Sequence, residues 1–274
     1  MIFGRGKLRR AEAEDVPVDN SDPAPDADDL ETTADSASET GLNSQALDPE
    51  TPDVDALDVD ALDAGEWRDE GPWDIDEVED LESDADGPRI DLGAMVLTGV
   101  PGSELRLQVA EDTQQIVSAM LVIESTLPGP DGTGGQPVTS ALELGAYAAP
   151  RSGGFWSELR EEISASAIEA GGSATLHEGP FGVELFRLFP VTTPNGEEGY
   201  QPSKMWVAEG PRWLLRGIVY GQAAIEESDD SPVVTDVVAA FRKVVVRRGD
   251  EPMAPGDLLP LTMPEGAVPA PGPG

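Results

Sequence analysis

Charge along the chain is distributed so unevenly that it decides which part can fold. Between Ala11 and Asp86 stand 29 Asp and Glu against one basic residue, Arg68. Mutual repulsion and a scarcity of apolar residues prevent such a stretch from offsetting its ordering entropy by burial, so residues 11–86 are expected to form a disordered acidic tail. The ten residues before it carry Arg5, Lys7, Arg9 and Arg10 and no acid, which makes a basic tip. Residues 87–264 carry the alternating apolar patterns of a single domain, and 265–274 form a Pro/Gly-rich end expected to be mobile.

The formal net charge of −37 disfavours direct binding to nucleic acid, whose phosphates would be repelled, and favours a protein partner of basic character. There is no cysteine, hence neither a disulfide framework nor a thiolate metal site, and the single histidine, His177, rules out a histidine-based metal cluster. No apolar run follows the basic start. Neither a secretory signal nor a membrane span is therefore expected, and the cytoplasm is the expected compartment. Four basic groups beside Ile2 and Phe3 would give at most weak contact with an anionic lipid surface.

Two features stand out within the tail. Val54-Asp55-Ala56-Leu57-Asp58 is repeated at once as Val59-Asp60-Ala61-Leu62-Asp63, which reads either as low-complexity drift or as a duplicated docking motif. Further on, Trp67 and Trp73 sit in acidic sequence. One reading makes them part of a segment that folds on a partner. In the other, Trp73, Ile75, Val78 and Leu81 lie back on the chain's own domain.

From Gly87 onward the periodicity changes to that of strands. The segments around Leu105–Val109, Ile116–Ile123 and Leu142–Ala146 read as an antiparallel meander with a long loop at Pro128–Pro137. That loop is glycine-rich but lacks the Gly-Lys-Ser/Thr ending of a phosphate cradle, and no cofactor is expected. Phe155–Ala170 reads as an amphipathic helix, with Phe155, Trp156, Leu159, Ile163 and Ala167 inward and Arg160, Glu161 and Glu162 toward water. Strands at Ala174–Glu178, Gly182–Val191, Lys204–Ala208 and Arg212–Tyr220 follow. A second helix starts at Ser231-Pro232, and an edge strand is expected within Lys243–Arg248. The expected class is α+β, a mainly antiparallel sheet with two packed helices in a sandwich whose element order is similar to the Mog1/PsbP type.

Three segments carry a more specific likeness: Arg89-Ile90-Asp91-Leu92-Gly93, Glu209-Gly210-Pro211-Arg212-Trp213-Leu214-Leu215-Arg216-Gly217, and Leu258-Leu259-Pro260-Leu261-Thr262-Met263-Pro264. With the acidic tail after a Phe-Gly-Arg start, they resemble the actinobacterial family catalogued as domain of unknown function 3710, over about Pro72 to Pro264. The resemblance implies a bacterial, cytoplasmic protein and no particular reaction.

The candidate binding residues are Trp67, Trp73, Trp206, Arg212 and Arg216. On a continuous strand, Arg212 and Arg216 would share a face about 13 Å apart and could grip an acidic ligand. Otherwise they pair with Glu178 or Glu184 on neighbouring strands. His177 reads as a structural or exposed imidazole, and no catalytic residue is expected. The leading functional expectation is a non-enzymatic interaction or regulatory protein whose acidic tail tunes the contacts of a binding domain. The alternative is an enzyme or regulatory subunit with a polar cleft between the sheet and the first helix.

Overall fold

A computed structural model of the chain describes residues 57–79, 81, 87–110, 112–129, 134–192 and 196–264, and every structural statement below concerns these. The basic tip, residues 11–56 of the tail, the centre of the Pro128–Pro137 loop and the Pro/Gly-rich end lie outside them. In chain order the elements are α1 (Val59–Asp63), β1 (Trp73–Asp74), a 3-10 turn (Ile75–Glu77), β2 (Arg89–Asp91), β3 (Met95–Thr98), β4 (Ser103–Val109), β5 (Ile116–Pro128) and β6 (Gly135–Ala148). Then come α2 (Phe155–Glu169), β7 (Ser173–Gly179), β8 (Gly182–Thr192), β9 (Glu198–Gly210), β10 (Trp213–Gly221), α3 (Gln222–Ile225), α4 (Pro232–Arg242) and β11 (Val245–Val246).

Among the described residues, seven strands form one antiparallel sheet in the order β4-β5-β6-β10-β9-β8-β7. Its central strands bury side chains on both faces, as β10 shows. Trp213, Leu215 and Val219 belong to one apolar cluster, while the alternate residues Leu214 and Ile218 belong to another. The first cluster takes in α4, whose Val233, Val234, Val237, Ala240 and Phe241 are buried, as its sequence stripe predicts. The second takes in Trp156 of α2, with Phe155, Leu159 and Ile163 packed around it. The two helices therefore lie on opposite faces of the sheet. The class is α+β, mostly antiparallel sheet with few helices.

A second sheet has the order β1-β11-β3-β2. Here β1 pairs parallel with β11, and β11 pairs antiparallel with β3. The expected edge strand at Lys243–Arg248 is thus only Val245–Val246, and it runs between two neighbours rather than along an edge. Both its valines are buried, which explains an apolar pair where an edge would carry charge.

The larger correction concerns the tail. Residues 57–79 are not a disordered leader but pack on the domain, so the folded unit begins well before Gly87. Charge density misleads here because Asp63 and Glu70 meet arginines far along the chain, Arg160 and Arg242. Arg160 is a second correction. It lies four residues after Trp156 on the buried stripe of α2 and is itself buried, because Asp63 neutralises it there.

Candidate functional site

The β9–β10 hairpin turns through Pro211 and Arg212, with Gly210 paired to Trp213. Arg212 has φ +63°, so proline at the first corner and a left-handed residue at the second give the geometry of a type II turn. Gly210 is required by close approach, since a Cβ there would lie 2.1 Å from the Trp213 ring. The indole folded across that glycine is fully buried, and its Nε1–H donates to Asp74 Oδ2 at 2.6 Å. The Gly-Pro-Arg-Trp segment is therefore the socket for β1.

Around that bond the N-terminal segment organises itself. Asp74 Oδ1 accepts from the Asp76 N–H at 3.0 Å, and Glu77 accepts from the Asp74 N–H at 2.7 Å, a capping box on the 3-10 turn. The Arg68 guanidinium lies 5.2 Å from the centre of the Trp213 ring. It also donates to both carboxylate oxygens of Glu77 at 2.8 and 2.9 Å and to Pro72 O at 2.7 Å. The hydrogen bonds from Arg68 hold the Glu77 carboxyl below its ordinary range.

Further upstream, Asp58 caps α1 by accepting from the Ala61 N–H at 3.0 Å. Asp63 at its far end receives both Nη groups of Arg160 at 2.5 Å. The second copy of the repeat thus docks on its own domain. Trp67 donates to Leu62 O at 2.7 Å, and its ring covers Gly182, where a Cβ would come within 2.7 Å of the indole nitrogen. Glu70 pairs with Arg242 at the end of α4.

Between this segment and the sheet lies a cavity of about 600 Å³. One wall comes from Asp63, Trp67 and Arg68, and the opposite wall includes Trp156, Phe181 and Glu209. Glu209 has a structural task of its own. Helix α2 begins at Gly154 without a side-chain cap, and Glu209 supplies one from across the fold. Its oxygens accept from the Gly154 and Trp156 N–H groups at 2.8 and 2.5 Å, placing a negative charge at the helix's positive end. The cavity combines aromatic and aliphatic walls with charged groups, and it can hold a small ligand or an inserted side chain.

Of the residues singled out from sequence, Trp67 and Trp73 both line this cavity, and Trp67 is 37% exposed. Trp73 also donates its N–H to Val244 O at 2.9 Å, so the reading that lays this segment on its own domain is the one seen. Trp206 is elsewhere and only 1% exposed. Its indole donates to Glu184 Oε2 at 2.5 Å, in contact with Phe181 and Phe241 rather than with solvent. Burial pushes the Glu184 carboxyl up, and Lys204, 3.9 Å away, pulls the other way. Glu184 therefore serves neither arginine.

Arg212 and Arg216 do not form a pair. Arg212 sits in the turn, where its carbonyl accepts from Ala149 N–H and Arg248 Nε. Arg216 lies on β10, its guanidinium 5.0 Å from the centre of the Tyr147 ring. His177 is exposed on β7 with its ring edge-on to Phe186. Glu161 and Glu162 are exposed on α2, as their spacing predicts. Between α2 and the sheet, Trp156, Leu185, Met205, Val207, Leu214 and Ile218 form an apolar interface, while at the start of the helix Gly154, Trp156 and Ser157 face Val207 and Glu209 across the cavity.

Sequence reasoning missed Asp74, Arg160 and Glu209, which build the site. For Arg160 the visible signal is a charge at a position where the helical period of α2 demands an apolar residue.

Among the described residues no helix is long and apolar enough to cross a membrane. No curated protein and no solved structure matches the chain. A family match does exist, over residues 71–270. It begins at Gly71, so it includes both partners of the Asp74–Trp213 bond and leaves α1 and Arg68 before it. On that match, and on the motifs whose packing is described above, the chain belongs to the family described as "Protein of unknown function (DUF3710)".

Proposed function

We propose that this is a non-enzymatic interaction or regulatory protein of the cytoplasm, in which the root of the acidic tail governs a binding cavity. The observation that carries this reading is the shared wall: Asp63, Trp67 and Arg68 line the same space as Trp156, Phe181 and Glu209. Anything that enters touches both the segment and the domain, so occupancy and docking of the segment are thermodynamically coupled. Part of the hold on the segment is ionic, through Asp63–Arg160 and Glu70–Arg242. A basic partner drawn by the charge of −37 would compete for those carboxylates.

The test uses full-length bait, wild type beside Arg160→Gln and Arg242→Gln, with captured proteins quantified by mass spectrometry. If the segment governs binding, the variants shift the amount of at least one reproducible basic partner several-fold. Identical capture by all three baits would sink the proposal. The layering of α2, sheet and α4 also suits a sandwich-type binding module, and that comparison is part of the same reading.

A further inference from the structure

The face of the large sheet that carries α2 is apolar only beneath that helix. Beyond it, neighbouring strands bring Glu143 and Tyr147 of β6, Arg187 of β8, Ser203 of β9, and Arg216 and Tyr220 of β10 to one surface. The registers are direct: Arg187 is opposite Ser203, and Arg216 is opposite Gly145, between Glu143 and Tyr147. Glycine at 145 leaves room for the Tyr147 ring to lie back along its own strand, since a Cβ there would lie 3.0 Å from its hydroxyl.

Arginine is an unusual choice at position 187. It lies in the run Leu185-Phe186-Arg187-Leu188-Phe189, and only 7% of it is exposed. An ionised guanidinium taken this far from water needs its donors satisfied. Arg187 Nη2 reaches Ser203 Oγ at 3.3 Å, and the guanidinium lies 5.1 Å from the Phe189 ring centre. Its Nε is buried with no acceptor among the described residues, and the same is true of Arg216 Nε. Tyr220 donates to Glu143 Oε2 at 3.3 Å. No carboxylate forms an ion pair with either arginine among the described residues, although Glu143 is near enough to be felt. Burial pushes Arg187 below its ordinary range, and Arg216 adds to that push. Two cations that repel one another on a half-covered sheet face, each with an unused buried donor, are the electrostatic outline of a missing anion.

We propose that Arg187 and Arg216, with Tyr220 and Ser203 beside them, form a binding site for a carboxylate. Glu143 leaves the group with one net positive charge, which suits a carboxylate better than a doubly charged phosphate ester. The carboxylate has two sources: a free small acid, or an Asp or Glu of the chain's own residues 11–56. This site is independent of the cavity beside α2 and does not rest on the function proposed for it.

The experiment is nuclear magnetic resonance on the full chain labelled with isotopic arginine, following the Nε–H signals of Arg187 and Arg216, which Arg187→Lys and Arg216→Lys spectra assign. Succinate is titrated against a sodium chloride control of equal ionic strength. A free-acid site makes both signals move together and saturate, with affinity about tenfold weaker in Arg216→Lys. A site filled by the chain itself shows both signals already displaced. They then move when the acids of 11–56 are replaced by Asn and Gln in the full-length protein, with no succinate present. If neither arm moves the two signals beyond the salt control, the proposal is overturned.

Discussion

Trp213 shows how much one side chain can organise. Its ring demands glycine at 210, its N–H holds the buried carboxylate of Asp74, and its π face carries Arg68. Trp213→Phe keeps most of the apolar volume but leaves Asp74 without its donor. A buried acceptor so orphaned costs about 1–3 kcal/mol, more when it is charged, and the loss is expected as a lower urea midpoint. Tyr220 makes a second prediction at this scale. Burial, reinforced by Glu143, pushes its phenol up to about 12, whereas the unfolded chain releases that proton near 10. The unfolded state therefore ionises first, and the stability tied to Tyr220 is lost as pH rises from 10 toward 12. Because burial pushes the Tyr147 phenol up as well, a 295 nm absorbance titration should show late phenols, one fewer in Tyr220→Phe, and the variant's stability should fall less over that interval.

At the scale of elements, α1 is the informative case. Five residues cannot sustain a helix alone, because nucleation costs more than one turn returns. Asp63 on Arg160 and Asp58 as cap are what hold it. In Arg160→Gln, amide exchange across Leu57–Ala64 should accelerate at least tenfold while β5, β6 and β10 keep their protection. Uniform acceleration would mean that Arg160 supports the whole domain instead. Elements of this kind were the illegible ones. Strands β4 to β10, α2 and α4 could be read from sequence because each buries a periodic face, and β10 even shows its two clusters in alternation. By contrast, β1 has two residues, too few to display a period, and its parallel pairing joins distant sequence; the strand at β11 could be read, but not its place between two neighbours. Trp73 and Asp74 look like tail because their partners, Val244 and Trp213, lie far along the chain. Arg216 was singled out, but its companion in sequence, Arg212, is removed by the turn, and its companion in space, Arg187, was hidden inside a strand.

For the whole molecule, the acids that read as mere charge divide by their surroundings. Glu77 and Asp91 are held below their ordinary values of 4.5 and 3.8 by hydrogen bonds from Arg68 and Arg247 respectively. A depressed carboxyl contributes stability that is complete above the unfolded value and disappears as pH falls through the folded one. Acidification below 4.5 should therefore loosen residues 68–77 first, with Asp91 and the β2 region following below 3.8. Hydrogen exchange at stepped pH would check the order, and Glu77→Gln should remove most of the first step. Both acids remain partly in water, so each effect is modest and weakens with salt.

The pairing of β1 with β11 also has a consequence for how the protein is made. Residues 73–74 emerge early from the ribosome, yet the strand beside which they lie is residues 245–246. Asp74 in turn waits for Trp213. Throughout most of translation, then, the segment destined to close the cavity has no seat, and any cellular factor that recognises it has its best access during synthesis. Nascent chains stalled before residue 245 should be cut by a dilute protease within 57–79, and released chains should resist; equal resistance would show that the segment finds its place without β11.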